Sequence, residues 1–177
     1  FNKEKRIVKY ETLIRIQNSN EIISPSVFLE VSKRIKRYTD IEKMLIEKSF
    51  KLIAERPDAM ISINLSGRDM TDGDVSVFII EKMNKYKVAG RVIFEILEDE
   101  NIENIERIGV FIDRVRRMGA KIAIDDFGSG YSNFSYILKL KPDYIKIDGS
   151  IIKNIDTNED SRVITGAIIA FAKKLDI

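Results

Sequence analysis

The chain has 177 residues, 44% hydrophobic and 33% charged, which suits one core-burying domain or a piece of a slightly larger one. Its formal net charge of +2 is too balanced to argue for polymeric nucleic acid. With no Cys and no His, disulfides, thiolate nucleophiles, thiolate metal sites, Ser-His-Asp or Cys-His catalysis and His-ligated metals are excluded.

In chain order, Arg6 to Ile16 is rich in Ile, Val, Tyr and Leu and reads as an extended segment. Ser24-Pro25 reads as a helix start, predicting a helix over 26–37. Its basic run Lys33, Arg34, Lys36 and Arg37 reads as a solvated face. Thr39 to Glu42 has capping-box spacing, and apolar Ile41, Leu45, Phe50, Leu52 and Ile53 predict a second helix ending near Pro57. Alternation is regular from there. Met60 to Leu65 is a strand, Asp74 opens a helix to Tyr86, and Arg91 to Leu97 is a strand. Ile102, Ile105, Ile112 and Val115 mark one face of a helix that stops at Met118-Gly119. Lys121 to Asp125 is a strand, 133–140 a short helix, 144–148 a strand and 160–175 a last helix.

Five mostly apolar strands alternating with helices predict a parallel sheet covered by helices. Periodicity leaves two architectures open, a partial β/α barrel and a doubly wound open sheet. No apolar run approaches the roughly 18–20 residues of a membrane helix. The chain opens Phe1-Asn2-Lys3-Glu4 without a secretory pattern or an initiator Met, so a cytoplasmic segment of a longer polypeptide is expected.

The informative residues are the polar ones inside those strands. They are Glu11, Asn64, Glu95, Asp125 with Asp126, and Lys146. Each alone has an ordinary explanation: a strand-end Asn, a solvated Glu, a turn pair of Asp, a water-facing Lys. Their recurrence on successive strands points elsewhere. A lone buried carboxylate costs several kcal/mol, so such charges need partners. In parallel α/β folds the carboxyl ends of the strands open into one crevice. Oxygen donors gathered there suit Mg²⁺ or Mn²⁺ rather than zinc, and Lys146 supplies an offsetting positive charge. Asp126-Phe127-Gly128 also occurs in protein kinases, but the chain has neither a G-x-G-x-x-G loop nor a His for the catalytic loop, so that reading is rejected.

The stretch Ala123 to Ser132, reading Ala-Ile-Asp-Asp-Phe-Gly-Ser-Gly-Tyr-Ser, is followed by Tyr144-Ile145-Lys146-Ile147-Asp148. Together they resemble the D-D-F-G-x-G-Y-S loop and K-I-D strand of the EAL family of cyclic-di-GMP phosphodiesterases. Asn64-Leu65-Ser66 is similar to the family's N-L-S. Glu95-Ile96-Leu97-Glu98 is similar to E-x-T-E with Leu in place of Thr. Tyr10 to Arg15 is similar to Y-E-A-L-x-R with Thr12 in place of Ala. The resemblance covers essentially the whole chain.

The resemblance implies a modified TIM-type β/α barrel, incomplete here with about five βα units, so that residues 1–177 form one partial EAL domain. It implies metal-dependent hydrolysis of cyclic di-GMP to linear pGpG. Glu11, Asn64, Glu95, Asp125 and Asp126 would hold two divalent ions, Mg²⁺ or Mn²⁺, with Asp125 bridging. Lys146 would orient or polarise the attacking water, and Glu11, Asp125 and Lys146 are the catalytic set. Glu98 would anchor the loop over 126–132, within which Gly128 and Gly130 permit tight turns. Arg15 and Asp148 would contact substrate. The family's A-E-G-V-E strand, whose first Glu is another catalytic acid, is expected beyond Ile177. A homodimer and linkage to sensor or cyclase domains are implied as well. The alternative reading is a catalytically inactive cyclic-di-GMP receptor or protein-interaction module of the same fold.

Overall fold

The computed structural model describes residues 9–97, 105–128 and 134–177. Five parallel strands form its main sheet: β1 (Lys9–Thr12), β4 (Met60–Asn64), β5 (Val92–Leu97), β6 (Lys121–Phe127) and β7 (Tyr144–Ile147). Between β1 and β4 lie a small antiparallel pair, β2 (Ile16–Gln17) with β3 (Ile22–Ile23), and helices α1 (Pro25–Arg34) and α2 (Tyr38–Ala54). Helices α3 (Gly67–Thr71) and α4 (Gly73–Tyr86) follow β4, and α5 (Ile105–Arg117) follows β5. Helix α6 (Phe134–Leu140) follows β6, and α7 (Gly149–Ile152) and α8 (Glu159–Lys174) follow β7.

Strand order settles the architecture that periodicity left open. The five strands pair in the order in which they occur along the chain, whereas a doubly wound sheet reverses direction at a switch point. The sheet also curls. Neighbouring strands lie about 4.8 Å apart, yet Lys146 on β7 reaches to 3.9 Å from Glu11 on β1, four strand spacings away. A curled, sequentially ordered parallel sheet with helices outside is an incomplete β/α barrel.

Register assigns each side chain to a face, because directly paired residues point the same way. One face carries Ile61 with Val92, then Ile63, Phe94 and Ile122, then Ile96, Ile124 and Ile145. These pack on Ile46, Phe50, Ile53, Ile79, Met83, Ile108 and Ile112 of α2, α4 and α5 to form the core. Helix α5 shows the rule plainly: Ile108, Phe111, Ile112 and Val115 are its buried stripe. Phe94 and Phe111 meet edge to face with centroids 5.9 Å apart, joining sheet to helix.

Several boundaries differ from expectation. The extended 6–16 segment breaks after Thr12, and its end joins the small β2–β3 ribbon. Helix α1 begins at Pro25 as the Ser-Pro pair predicts, but the Ser24 hydroxyl pairs with Ser26 and makes no cap bond. Thr39 and Glu42 form no capping box. Helix α2 has already started at Tyr38 behind Arg37, and Glu42 is buried in its first turns. A capping box does form at α3, where the Ser66 hydroxyl accepts from the Asp69 amide and the Asp69 carboxylate accepts from the Ser66 amide. Asp72 rather than Asp74 caps α4, and Asn158 caps α8 ahead of the expected start. Among the described residues no helix is long and apolar enough to cross a membrane.

Candidate active site

The second face of the sheet is polar. Alternation puts Lys9 and Glu11 on it from β1, Ser62 and Asn64 from β4, Glu95 from β5, Lys121 and Asp125 from β6, and Tyr144 and Lys146 from β7. Nearer the amino-terminal ends, buried Ile93 and Ala123 fill the floor, and the Lys121 ammonium donates to the Tyr144 hydroxyl at 3.0 Å. At the carboxyl ends the acids converge. Glu11, Glu95 and Asp125 each offer an oxygen, and those oxygens lie within 4.8 Å of one another.

Two lysines compensate these acids. The Lys146 ammonium donates to Asp125 Oδ2 at 2.7 Å and to Glu95 Oε2 at 2.8 Å, and pairs with Glu11 Oε1 at 3.9 Å. Lys9 donates to the other Glu95 oxygen, Oε1, at 3.1 Å. The Glu95 side chain is 0% exposed, a burial that would cost several kcal/mol without these two partners. Burial pulls the Lys146 ammonium pKa down, but the hydrogen bonds to Asp125 and Glu95 outweigh it and hold the group above the ordinary lysine value. Lys146 is therefore a fixed cation and a hydrogen-bond donor.

The Asp125-Asp126 pair owes its placement to an irregularity. Pairing of β6 with β7 slips between Ile124 and Phe127, and Asp126 takes the left-handed conformation at φ 53°. The Asp126 amide donates to Asp125 Oδ1 at 2.9 Å. Without the slip, strict alternation would send the two acids to opposite faces; with it, both line one cavity. Gly128 follows at φ 94°, a conformation L side chains rarely adopt, which is what favours glycine there; the Ile151 Cδ1, 2.3 Å from where a Cβ would sit, is a flexible side-chain end that can shift.

The cavity measures about 750 Å³. Glu11, Asn64, Glu95, Asp125, Asp126 and Lys146 all line it. Asn64 is paired in register with Glu95, so its side chain stands beside that carboxylate on the same face. Arg15 also lines the cavity, exposed, with its guanidinium donating to the Ile14 carbonyl at 2.7 Å. Asp148 stands apart from the cavity lining. It caps α7, accepting from the Ser150 amide at 2.7 Å and from the Ser150 hydroxyl. These bonds hold its carboxyl below the usual range. Glu98, Gly130 and the rest of the expected loop to Ser132 lie outside the described residues.

The donor set fits a hard divalent cation. Every candidate ligand can supply oxygen, three are carboxylates around one point, and the Asn64 side chain shares their face of the sheet. Soft or imidazole-preferring metals find no thiolate or imidazole in the sequence, and no methionine among the residues that line the cavity.

Two features escaped sequence reasoning. Lys9 stands two residues before Glu11, and on a strand that spacing alone puts both on one face. The cavity wall also holds a buried polar group from α2 and α3. There the Tyr38 hydroxyl donates to Asp69 Oδ2 at 3.0 Å, and the Ser66 hydroxyl donates to the same oxygen at 2.6 Å. Glu42 lies beside them, 6% exposed. Burial first, and the Asp69 charge second, push its carboxyl up to about 7. The legible signal was Ser66-x-x-Asp69 directly after a strand.

The chain is similar to known proteins in sequence and in fold. The family model described as EAL domain matches residues 2–177. Cyclic di-GMP phosphodiesterase PdeF of Escherichia coli is 31% identical over 172 residues, covering 94% of this chain and 23% of the relative. Cyclic di-GMP phosphodiesterase PdeB of Shewanella oneidensis is 32% identical over 166 residues, covering 90% of this chain and 19% of the relative. The chain thus spans about a fifth of the length of these curated relatives. Among solved structures, the EAL enzyme Bd1971 in its cAMP- and cyclic-di-GMP-bound form superposes with a TM-score of 0.87 at 25% identity. That match covers 99% of this chain and 50% of the other.

Proposed function

Because the chain belongs to the EAL-domain family, we propose that it hydrolyses cyclic di-GMP to linear pGpG at the carboxyl ends of its barrel strands. The observation that carries this reading is the convergence of Glu11, Glu95 and Asp125 around the Lys146 ammonium inside one cavity. A volume of about 750 Å³ falls within the range of sites that enclose ligands of this size, about 300–1,000 Å³. Relatives named as cyclic di-GMP phosphodiesterases support the substrate.

Glu11, Asn64, Glu95, Asp125 and Asp126 would hold two divalent ions, Mg²⁺ or Mn²⁺. When bound, such ions supply Lewis-acid charge at a phosphoryl oxygen and lower the pKa of a neighbouring water. The protein's own groups do the rest. Lys146, fixed as a cation, donates hydrogen bonds that orient the water and offset the acids. Arg15 on the cavity wall supplies positive charge to the phosphates of the substrate. Asp148 contacts substrate from its position at the head of α7, and Glu98 anchors the loop that follows Asp126. Water adds to one phosphorus, the P–O3′ bond breaks, and the 3′ oxygen leaves with a proton.

Residues 1–177 are read as one partial EAL domain. A cytoplasmic setting, a homodimer and linkage to sensor or cyclase domains complete the proposal.

The test is to incubate the protein with cyclic di-GMP in Mg²⁺, Mn²⁺ or chelator and separate products by anion exchange. Metal-dependent pGpG is expected. Cyclic di-GMP binding without any product in either metal would instead favour a receptor of the same fold.

A further inference from the structure

Glu95 has both oxygens committed to ammonium groups, Oε1 to Lys9 and Oε2 to Lys146. Lys146 is shared among all three acids. Among the described residues Lys9 pairs with Glu95, and its side chain is 37% exposed, reaching Glu95 from below Glu11 on the same strand face. Glu95 is the most deeply buried of the acids, 0% exposed against 13% for Asp125 and 38% for Glu11. It is therefore the one least served by solvent and most in need of a dedicated counter-ion.

We propose that Lys9 is a built-in counter-ion of Glu95 that competes with a divalent cation for that carboxylate, steadying the metal-free site and setting a weaker metal affinity. The inference rests on the metal-site reading above. Its physical content is simple. Three carboxylates facing two ammonium groups form a cluster with one net negative charge; removing Lys9 leaves two. A divalent cation gains from that extra charge, and the Lys9 ammonium and the cation no longer repel each other across one carboxylate. In the metal-free protein the same change leaves Glu95 Oε1 buried without its donor, which destabilises the fold. Lys9 is thus a positioning residue acting through Glu95, and its removal moves metal affinity and metal-free stability in opposite directions.

The experiment titrates MnCl₂ into chelator-treated full-length protein by calorimetry and follows thermal unfolding with and without Mn²⁺. It compares the parent with Lys9→Met, Lys9→Gln and Lys9→Arg. Both neutral variants are expected to bind Mn²⁺ about tenfold more tightly, to unfold at lower temperature in chelator, and to gain more from added Mn²⁺. Lys9→Arg keeps the charge and behaves like the parent. Lys9→Gln leaves a donor near Glu95 and serves if Lys9→Met does not fold. Unchanged or weaker binding in the neutral variants overturns the inference while the metal site stands, as does tighter binding in Lys9→Arg. Absence of Mn²⁺ binding in the parent removes the metal-site reading itself, and the role of Lys9 with it.

Discussion

The two faces of the one sheet are made from the same strands and do opposite work. On the helix-covered face, Ile63, Phe94, Ile122, Ile96 and Ile124 are each 0% exposed and touch side chains as apolar as themselves. One residue further along the same strands, Asn64, Glu95 and Ala123 share a register row on the face toward the cavity, with Asp125 beyond them. Period-two alternation is all that separates a face that holds the protein together from a face that gathers charge. The lesson is that stability and chemistry are segregated here at single-residue spacing. A substitution's effect follows from the parity of its position along the strand more than from its neighbourhood in sequence.

That separation breaks most visibly at Asp125. Asp125→Ala is expected to lower the rate of cyclic di-GMP hydrolysis by about a thousandfold, the scale of losing one key electrostatic group, with little change in melting temperature. Steady-state product formation and thermal unfolding on the same sample check both halves. Phe94 pairs with Ile122, three residues before Asp125 and so on the opposite face, and Phe94→Ala should do the reverse. It removes a fully buried ring at a cost of about 3–5 kcal/mol, read by denaturant unfolding, while the rate per folded molecule is kept.

Glu42 sharpens the comparison because it is a buried acid from the helical layer that reaches the cavity wall. Its folded pKa is raised, so the folded state holds the proton more tightly than the unfolded one. The stability this contributes is fully present below 4.5 and is lost as pH rises through about 7. The loss amounts to up to about 3 kcal/mol. Denaturant midpoints across that window should fall with rising pH, and Glu42→Gln should flatten the slope.

Asp148 gives the smallest effect. Asp148→Ala removes the cap of α7 and should lower the melting temperature slightly, whereas Asp148→Asn keeps a good cap and removes only the charge. Because the carboxylate is proposed to contact substrate, KM is expected to rise in both variants; an unchanged KM in Asp148→Asn would reduce Asp148 to a cap.

Much of this was legible because strands betray themselves when a charge interrupts them. Glu11, Asn64, Glu95, Asp125 and Lys146 stand out against Ile, Val and Phe, and all of them line the cavity. Strand existence was readable for the same reason, and all five expected strands pair in one sheet. The choice between barrel and open sheet was not readable, since it depends on pairing order and curl, which periodicity does not encode. The Asp125-Asp126 placement needed the slip in β6–β7 pairing, a backbone event with no residue signature beyond the following glycine. Lys9 was passed over because a lysine near a chain's start reads as solvated until its partner on β5, 86 residues later, comes to 3.1 Å. Thr39 to Glu42 misled for a tertiary reason: burial of Glu42 among α2 and α3 overrides a local capping preference.

Anomalous diffraction at the manganese edge, from crystals soaked in Mn²⁺, tests the central claim most directly. The account predicts anomalous density among Glu11, Glu95 and Asp125, lost in Asp125→Ala and kept in Phe94→Ala. Density elsewhere with none at these three carboxylates, or an undiminished peak in Asp125→Ala, would contradict it.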